Sequence, residues 1–149
     1  GWLSYTLGRS TRSQPGQAEF PSQYDQTHLV TAIASRELGN HWKIGGRVRY
    51  ATGNPSTPIT GGIFDSDNDV YFPVRGGYYA SRLDPLFQLD LRIDKKWIKD
   101  TWILTGYLDI QNLTNRKNPE QFQYSYNYLS RDAVSGLPII PTLGVQAEF

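Results

Sequence analysis

The chain has 149 residues, a formal net charge of +1 and 38% hydrophobic residues, with a mean hydropathy of −0.51. This length is sufficient for one domain, and the near-neutral charge gives no electrostatic reason to expect nucleic-acid binding. No apolar run approaches the roughly 18 residues of a membrane helix. A β-barrel remains compatible with this hydropathy, because half of its strand residues face a polar lumen. The absence of cysteine excludes disulfides and thiolate metal sites, and we expect no metal and no other cofactor.

Alternation of apolar and polar side chains with period two predicts six β-strands. In chain order they cover residues 2–8, 28–38, 41–52, 86–96 and 101–112, followed by a last strand within 137–149. The third strand shows the pattern most sharply, since Ile44 and Val48 alternate with Lys43, Arg47 and Arg49. A face with so many charges does not belong in a packed core.

The facing of the second strand depends on the turn that Gly39-Asn40 marks. A three-residue turn places Glu37 beside Lys43 and puts four residues on the apolar face: Val30, Ala32, Ala34 and Leu38. A two-residue turn reverses these faces, because a slip of one residue exchanges them. We favour the three-residue turn.

The predicted connections alternate in length along the chain. Long segments cover residues 11–26, 53–85 and 113–136, and short turns join the other strands. All long connections therefore lie at one end of the sheet, which is typical of transmembrane barrels. Aromatic residues at the short-turn end agree with this, because Trp favours the membrane–water interface. This predicted girdle consists of Trp2, Trp42, Trp97, Trp102 and Phe149; tryptophans scattered in a core are the alternative.

Four segments resemble, in the same order, the C-terminal third of TonB-dependent outer-membrane receptors. They are residues 42–55, 82–97, 107–119 and 136–149. The last one contains the run Leu-Pro-Ile-Ile-Pro and is similar to the C-terminal strand of Gram-negative outer-membrane barrels, which ends in an aromatic residue such as Phe149. Together the four segments span nearly all of the chain.

The resemblance implies an all-β fold in which residues 1–149 form the six C-terminal strands of a transmembrane antiparallel β-barrel of about 22 strands. It places the protein in the outer membrane of a Gram-negative bacterium. The implied partners are outer-membrane lipid, the remaining strands and plug domain from the same polypeptide or a partner chain, and a periplasmic TonB-type energy coupler acting through the missing part. The plug and the TonB-binding segment match nothing in this chain.

The function that the resemblance implies is ligand binding and energy-coupled uptake across the outer membrane, without covalent chemistry. The alternative is a structural barrel subunit that anchors an outer-membrane assembly and does not transport. A barrel enzyme would need a Ser/His/acid cluster, and we find none; His28 and His41 fall at opposite ends of the second strand. A soluble β-sandwich that binds carbohydrate is a further alternative.

The polar face of the third, fourth and fifth strands provides the candidate lumen residues. Two interpretations stay open: oppositely charged neighbours hold the barrel wall together and seat the plug, or they line a substrate path, and we favour the first. The candidates are Lys43, Arg47, Arg49, Asp90, Arg92, Asp94, Tyr107 and Asp109.

The long connections contain aromatic residues that are candidates for ligand contact, because aromatic surface binds at low entropic cost. They could equally pack on one another above the membrane. The candidates are Tyr71, Tyr78, Tyr79, Tyr124 and Tyr126. The acidic run 65–69 suggests a Ca²⁺ loop, but the glycine and glutamate of an EF-hand are missing at the corresponding positions, so we favour a solvated acidic loop.

Overall fold

A computed structural model describes all residues, 1–149. The chain forms β-strands only, and none of its elements is a helix that could span a membrane. The strands are β1 (Trp2–Leu7), β2 (Thr11–Arg12), β3 (Phe20–Pro21), β4 (His28–Gly39), β5 (Trp42–Ala51), β6 (Pro55–Ser56), β7 (Ile59–Asp65), β8 (Val70–Arg75), β9 (Ser81–Arg82), β10 (Leu86–Ile98), β11 (Ile103–Gln111), β12 (Pro119–Tyr124), β13 (Arg131–Ser135) and β14 (Ile140–Glu148).

Six of these strands form the main sheet, in the order β1-β4-β5-β10-β11-β14, with every neighbouring pair antiparallel. They correspond to the six predicted strands, so the prediction of an all-β antiparallel fold is confirmed. The sheet is open, since β1 and β14 form its two edges and do not pair with each other.

The three long connections lie at one end of the main sheet and the short turns lie at the other, as expected. The long connections are not irregular, however. They contain four two-stranded sheets, formed by β2 with β3, β6 with β9, β7 with β8, and β12 with β13. Short strands in these segments pair locally into hairpins, and the glycine and proline residues interrupt the alternation that would have predicted them from the sequence.

The register gives the main sheet one apolar and one charged face. On the apolar face, Ile44 lies opposite Ile93, Ile93 opposite Leu108, and Leu108 opposite Leu143. The next row belongs to the charged face and contains Glu37, Lys43, Asp94, Tyr107 and Gly144. The predicted faces of the third, fourth and fifth strands are therefore confirmed.

The faces that we favoured for the second predicted strand are also confirmed, because Val30 lies opposite Tyr50 and Glu37 lies opposite Lys43. The three-residue turn itself is wrong. Asn40 and His41 form a two-residue turn, with φ of 46° and 61°, as a type I′ turn requires. A bulge between Glu37 and Gly39 supplies the extra residue and keeps the apolar side chains on one face.

The main sheet has no protein layer on its apolar face. Ala51 is the only buried hydrophobic residue of the chain. Leu3, Leu143 and Val145 are exposed by 71%, 81% and 70%. Such a sheet does not fold around a conventional hydrophobic core, so another apolar phase or another part of a protein must cover this face.

Four of the five predicted girdle residues lie at the short-turn end of the sheet. Trp42 lies opposite Lys95, and Trp97 lies opposite Leu104. Trp102 belongs to the turn before β11 rather than to the strand, and Phe149 directly follows the end of β14.

The prediction is wrong for Trp2. This residue lies opposite Ile33, which lies opposite Arg47, so Trp2 belongs to the charged face in the middle of the sheet. The reason is the register of β1, which pairs only with residues 28–33 of β4, whereas β4 continues to Gly39. The start of a strand does not define its level in the sheet.

Candidate functional site on the charged face

Asp90 is the centre of a hydrogen-bond network on the charged face. Its Oδ2 accepts hydrogen bonds from Nε and Nη2 of Arg47, at 2.8 and 2.6 Å. Its Oδ1 accepts from Nε2 of Gln88 at 2.7 Å and from the backbone N–H of Asn112 at 3.0 Å. Asp90 is 7% exposed, so these four donors replace most of the water that the carboxylate has lost.

A second cluster forms around Arg92, which lies two residues nearer than Asp90 to the short-turn end of the sheet. Its guanidinium pairs with Asp94 at 2.9 Å and lies 3.7 Å from Asp109. It also stacks over the ring of Tyr107, 4.2 Å from the ring centroid. The structure therefore brings three strands together through opposite charges, as the cross-strand interpretation expects.

Two candidate residues of the charged face keep uncompensated charges. Lys43 takes part in none of the four ion pairs, although the register places it opposite Glu37 and Asp94. Arg49 donates to the neutral side-chain oxygen of Gln88 at 2.6 Å, and its buried Nε has no hydrogen-bond partner. These two cations are the free positive charges among the predicted lumen residues.

The charged face forms a groove of about 890 Å³ at the short-turn end of the sheet. Gly45 and other small residues leave room between the long charged side chains. Residues that line the groove include Lys43, Arg92, Asp94, Lys96, Thr105 and Gln146. The side chains that surround this space can bind polar groups.

Asp25 and Arg82 form a second buried ionic site that the sequence did not reveal. Arg82 pairs with Oδ2 of Asp25 and also donates to the carbonyl oxygens of Asp25 and Gly53. The backbone N–H of Ser10 donates to Oδ1 of Asp25 at 2.6 Å. The Ser10 hydrogen bond, followed by that from Arg82, holds the pKa of Asp25 below its ordinary value. This cluster ties the first long connection to the second.

Two buried asparagines organise the base of the third long connection. Asn112, with φ of 50°, donates its amide hydrogens to the carbonyl oxygens of Arg116 and Leu137. Asn118 both accepts from the backbone N–H and donates to the backbone carbonyl of Phe87. The sequence signal that could have found them is asparagine next to the end of a strand, since Asn112 directly follows β11 and Asn118 directly precedes β12; there the side chain replaces backbone partners.

Three of the aromatic candidates, Tyr71, Tyr124 and Tyr126, lie where the second and third long connections meet. Tyr71 packs edge-on against Tyr126 at 5.5 Å between ring centroids, and the hydroxyl of Tyr126 donates to the carbonyl of Asp69. Tyr124 accepts a hydrogen bond from the N–H of Ile59 at 3.4 Å. This packing joins the second and third long connections.

Tyr78 and Tyr79 join the first and second connections. Both rings stack on Phe20, at 5.7 and 6.3 Å between centroids. Tyr79 has a φ of 51°, which a non-glycine residue adopts only where other contacts hold it; its N–H donates to Thr57 and its hydroxyl to Gln23. Each of the five aromatic candidates thus packs on another aromatic ring of the long connections, while Tyr78 and Tyr126 still expose 56% and 67% of their surface.

The acidic run 65–69 is the turn of the β7–β8 hairpin. Asp65 accepts hydrogen bonds from the backbone N–H of Asp67 at 3.0 Å and from the side-chain amide of Asn68 at 2.8 Å. The amide of Asn68, followed by the N–H of Asp67, lowers the pKa of Asp65. The carboxylate of Asp65 therefore stabilises the turn through these hydrogen bonds.

Comparisons of the chain with protein-family models, with curated proteins and with solved structures give no match. The interpretation of the site therefore depends on the geometry of the two faces and of the long connections.

Proposed function

We propose that this chain is the C-terminal part of the transmembrane β-barrel of a TonB-dependent receptor, which binds a ligand and takes it up across the outer membrane of a Gram-negative bacterium. The observation that supports this most directly is the two-faced main sheet, whose apolar face has no protein cover while its opposite face carries most of the charges. Apolar surface in water costs about 25 cal/mol per Å² relative to burial. A bilayer removes that cost, and the charged face then lines the lumen.

The proposal requires further strands on both edges of the main sheet. Unpaired backbone groups of β1 and β14 would be strongly unfavourable in lipid. Strands from the rest of the polypeptide, or from a partner chain, would close a barrel of about 22 strands, and a plug would lie against the charged face. The long connections would then be extracellular and the short turns periplasmic.

Within this barrel, the residues with free charges or exposed rings are the candidates for a ligand path. Lys43 and Arg49 have no acidic partner, and Tyr78 and Tyr126 remain exposed on the long connections. Energy coupling would act through a plug and a TonB-binding segment, to which this chain contributes no residue that we can assign.

Spin labels on β14 test the membrane placement. The chain has no cysteine, so labels at single cysteines replacing residues 142, 143, 145, 146 and 147 report each position separately in the reconstituted protein, after replacement of any cysteine elsewhere. We expect Leu143, Val145 and Ala147 to be accessible to oxygen dissolved in lipid, and Thr142 and Gln146, which lie on the charged face, to be much less so. Equal accessibility of all five positions to a water-soluble nickel complex would exclude the bilayer.

A structural barrel subunit without transport is the second candidate. It is favoured by the cross-strand pairing of Arg47 with Asp90 and of Arg92 with Asp109, because opposite charges on neighbouring strands hold a wall together and leave fewer groups for a ligand. The denatured mass of the polypeptide from outer membranes separates the two candidates. A mass several times 16.9 kDa supports a receptor, and a mass near that value supports a separate subunit.

A further inference from the structure

Arg36 is a cation on the apolar face of the main sheet. It lies opposite Ile44, with Ala34 and Leu38 as its neighbours on the same side of β4. None of the four ion pairs of the chain includes it. A guanidinium keeps its charge at any ordinary pH, and a charge that faces lipid without a partner is costly. Arg36 lies three residues before Gly39, where β4 ends at the short turn, so its long side chain can reach the interface.

A shallow groove of about 290 Å³ runs along the sheet beside Arg36. It exists because Ala34 lies opposite Gly46, so that two small residues meet between the larger side chains of Ile44 and Leu91. Ile44 and Leu91 form its apolar walls, and Arg36 lies at its border. A shallow apolar groove bordered by a cation can take part of an acyl chain beside a charged headgroup.

Lys95 is the second cation on this face and lies on the other side of β5. It is opposite Trp42, and its Nζ lies 5.1 Å from the centroid of the Trp42 ring and donates to the carbonyl of Asn40. β5 separates β4 from β10, so the two strands are about 9.6 Å apart. The ammonium of Lys95 reaches back to Asn40, the residue that follows β4, so a headgroup between the two long side chains can contact both Arg36 and Lys95. The apolar side of the main sheet carries these two cations and no carboxylate.

We propose that Arg36 and Lys95 bind the phosphate of an anionic phospholipid whose acyl chain lies in the groove over Gly46. The lipid belongs to the leaflet on the short-turn side, because both cations lie at that end of the sheet. This inference depends on the proposed membrane placement, and the experiment separates the failure of one from the failure of the other.

Trp42 is the reporter for the experiment, because its ring contacts Lys95. The full protein is reconstituted into vesicles that contain either brominated phosphatidylglycerol or brominated phosphatidylcholine, and Trp42 quenching is obtained by difference from the Trp42→Phe variant. We expect phosphatidylglycerol to bind more tightly, by about fivefold for each cation that contacts the headgroup. Arg36→Gln should reduce this preference about fivefold, and so should Lys95→Gln.

Two further variants separate shape from charge. Gly46→Val fills the groove and leaves both cations in place; the nearest atom to an added Cβ is the Asp90 carbonyl oxygen at 3.6 Å, so the sheet can accept it. We expect it to weaken quenching by both brominated lipids. Lys96→Gln is the matched control, because Lys96 follows Lys95 on the opposite, charged face, and the lipid preference should remain at the wild-type value.

Each contrary result has its own meaning. Absence of Trp42 quenching by both lipids would overturn the membrane placement itself. Equal quenching by both lipids, or an unchanged preference in Arg36→Gln, would overturn the headgroup site and leave the membrane placement intact. Unchanged quenching in Gly46→Val would overturn the acyl groove. The preference should persist when inorganic phosphate is added at constant ionic strength, because the acyl chain adds to the affinity for the lipid; its loss would overturn the lipid as the preferred occupant and assign the two cations to free phosphate.

Discussion

Tyr107 covers a glycine on the charged face of the main sheet. Its ring lies over Gly144, its partner on β14, and Arg92 stacks on the same ring at 4.2 Å from the centroid. A Cβ at position 144 would overlap the ring of Tyr107. Three strands thus depend on one position without a side chain, which is a known way to stabilise a glycine in a sheet.

Gly144→Ala should therefore destabilise the protein by about 1–3 kcal/mol, because the Tyr107 ring must move away from position 144 and so lose its stacking contact with Arg92. Urea unfolding of the protein in detergent micelles measures this. Gly61→Ala is the matched control, since nothing lies within 4 Å of an added Cβ there, and it should change stability by less than about 1 kcal/mol. Equal losses in the two variants would show that Tyr107 moves freely.

Asp90 gives the second prediction at this scale. Asp90→Ala removes the acceptor of Arg47, Gln88 and the Asn112 N–H, so we expect a loss of about 2–3 kcal/mol in the same unfolding experiment. Asp109→Ala removes only a partly exposed partner at 3.7 Å from Arg92 and should cost no more than about 1 kcal/mol. A smaller loss for Asp90→Ala than for Asp109→Ala would contradict the central role of Asp90.

The alternation of residues in the sequence predicted which face each of these side chains would occupy, but not its partner. Arg47 and Arg49 are two residues apart and look equivalent in the sequence. In the structure one pairs with Asp90 and the other with Gln88, because the register of β5 against β10 determines the neighbours. A register depends on contacts across the whole pair of strands, which alternation within one strand does not specify.

At the scale of the elements, one ionisable side chain, Asp25, joins the first long connection to the second. The folded pKa of Asp25 lies below the ordinary value of 3.8. The contribution of the Asp25–Arg82 cluster is therefore fully present above about pH 3.8 and is lost as the pH falls through the lower, folded pKa. We expect hydrogen exchange of residues 11–26, corrected for intrinsic rates, to accelerate only in that acidic window.

Asp25→Asn should abolish this acid dependence, because the amide does not titrate, and should raise exchange in the same segment at neutral pH. Asp132→Asn is the control, since Asp132 is exposed in β13, far along the chain from this cluster, and the acid dependence should persist. Acid-induced exchange that continues in Asp25→Asn would assign the effect to another group.

The β7–β8 and β12–β13 hairpins should move together because Tyr71 packs on Tyr126. Aromatic pairs of this kind contribute about 0.5–1.5 kcal/mol, so Tyr71→Ala should accelerate exchange of residues 119–135 by about twofold to tenfold. Phe72→Ala is the matched control on the opposite side of the same strand, where Phe72 is 55% exposed and has no aromatic partner. Equal effects of both variants would show that the hairpins are not coupled through Tyr71.

The sequence predicted the six long strands because each has enough alternating residues to define two faces. It did not predict the hairpins within the long connections. β2, β3, β6 and β9 each have two residues, too few for any periodicity, and β7 contains Gly61 and Gly62, which weaken a strand pattern. The sequence did not predict the bulge at Leu38 for another reason. The turn is one residue shorter than expected and the bulge adds one residue to the strand, so the two differences cancel and the faces are unchanged.

At the scale of the whole molecule, the apolar face and the two open edges belong to the same problem. No protein layer covers either face of the main sheet, and each edge strand has unpaired backbone groups on its outer side. In the proposed barrel, further strands would pair with both edges, and lipid would cover the apolar face. The prediction for Trp2 failed because the position of an edge strand along the sheet depends on its pairing. Only the pairing of β1 with β4 determined how far Trp2 lies from the short-turn end.

Closure predicts that the outer backbone amides of β1 and β14, those that do not bond to β4 or β11, are protected from hydrogen exchange in the native protein. Their protection should approach that of β5, which has a partner on both sides. The β7–β8 turn around Asn68 and Asp69 gives the rate of unprotected amides in the same sample. Exchange at the two edges as fast as in this turn would mean that no strand pairs there, and the barrel proposal would fail even if the apolar face contacts lipid.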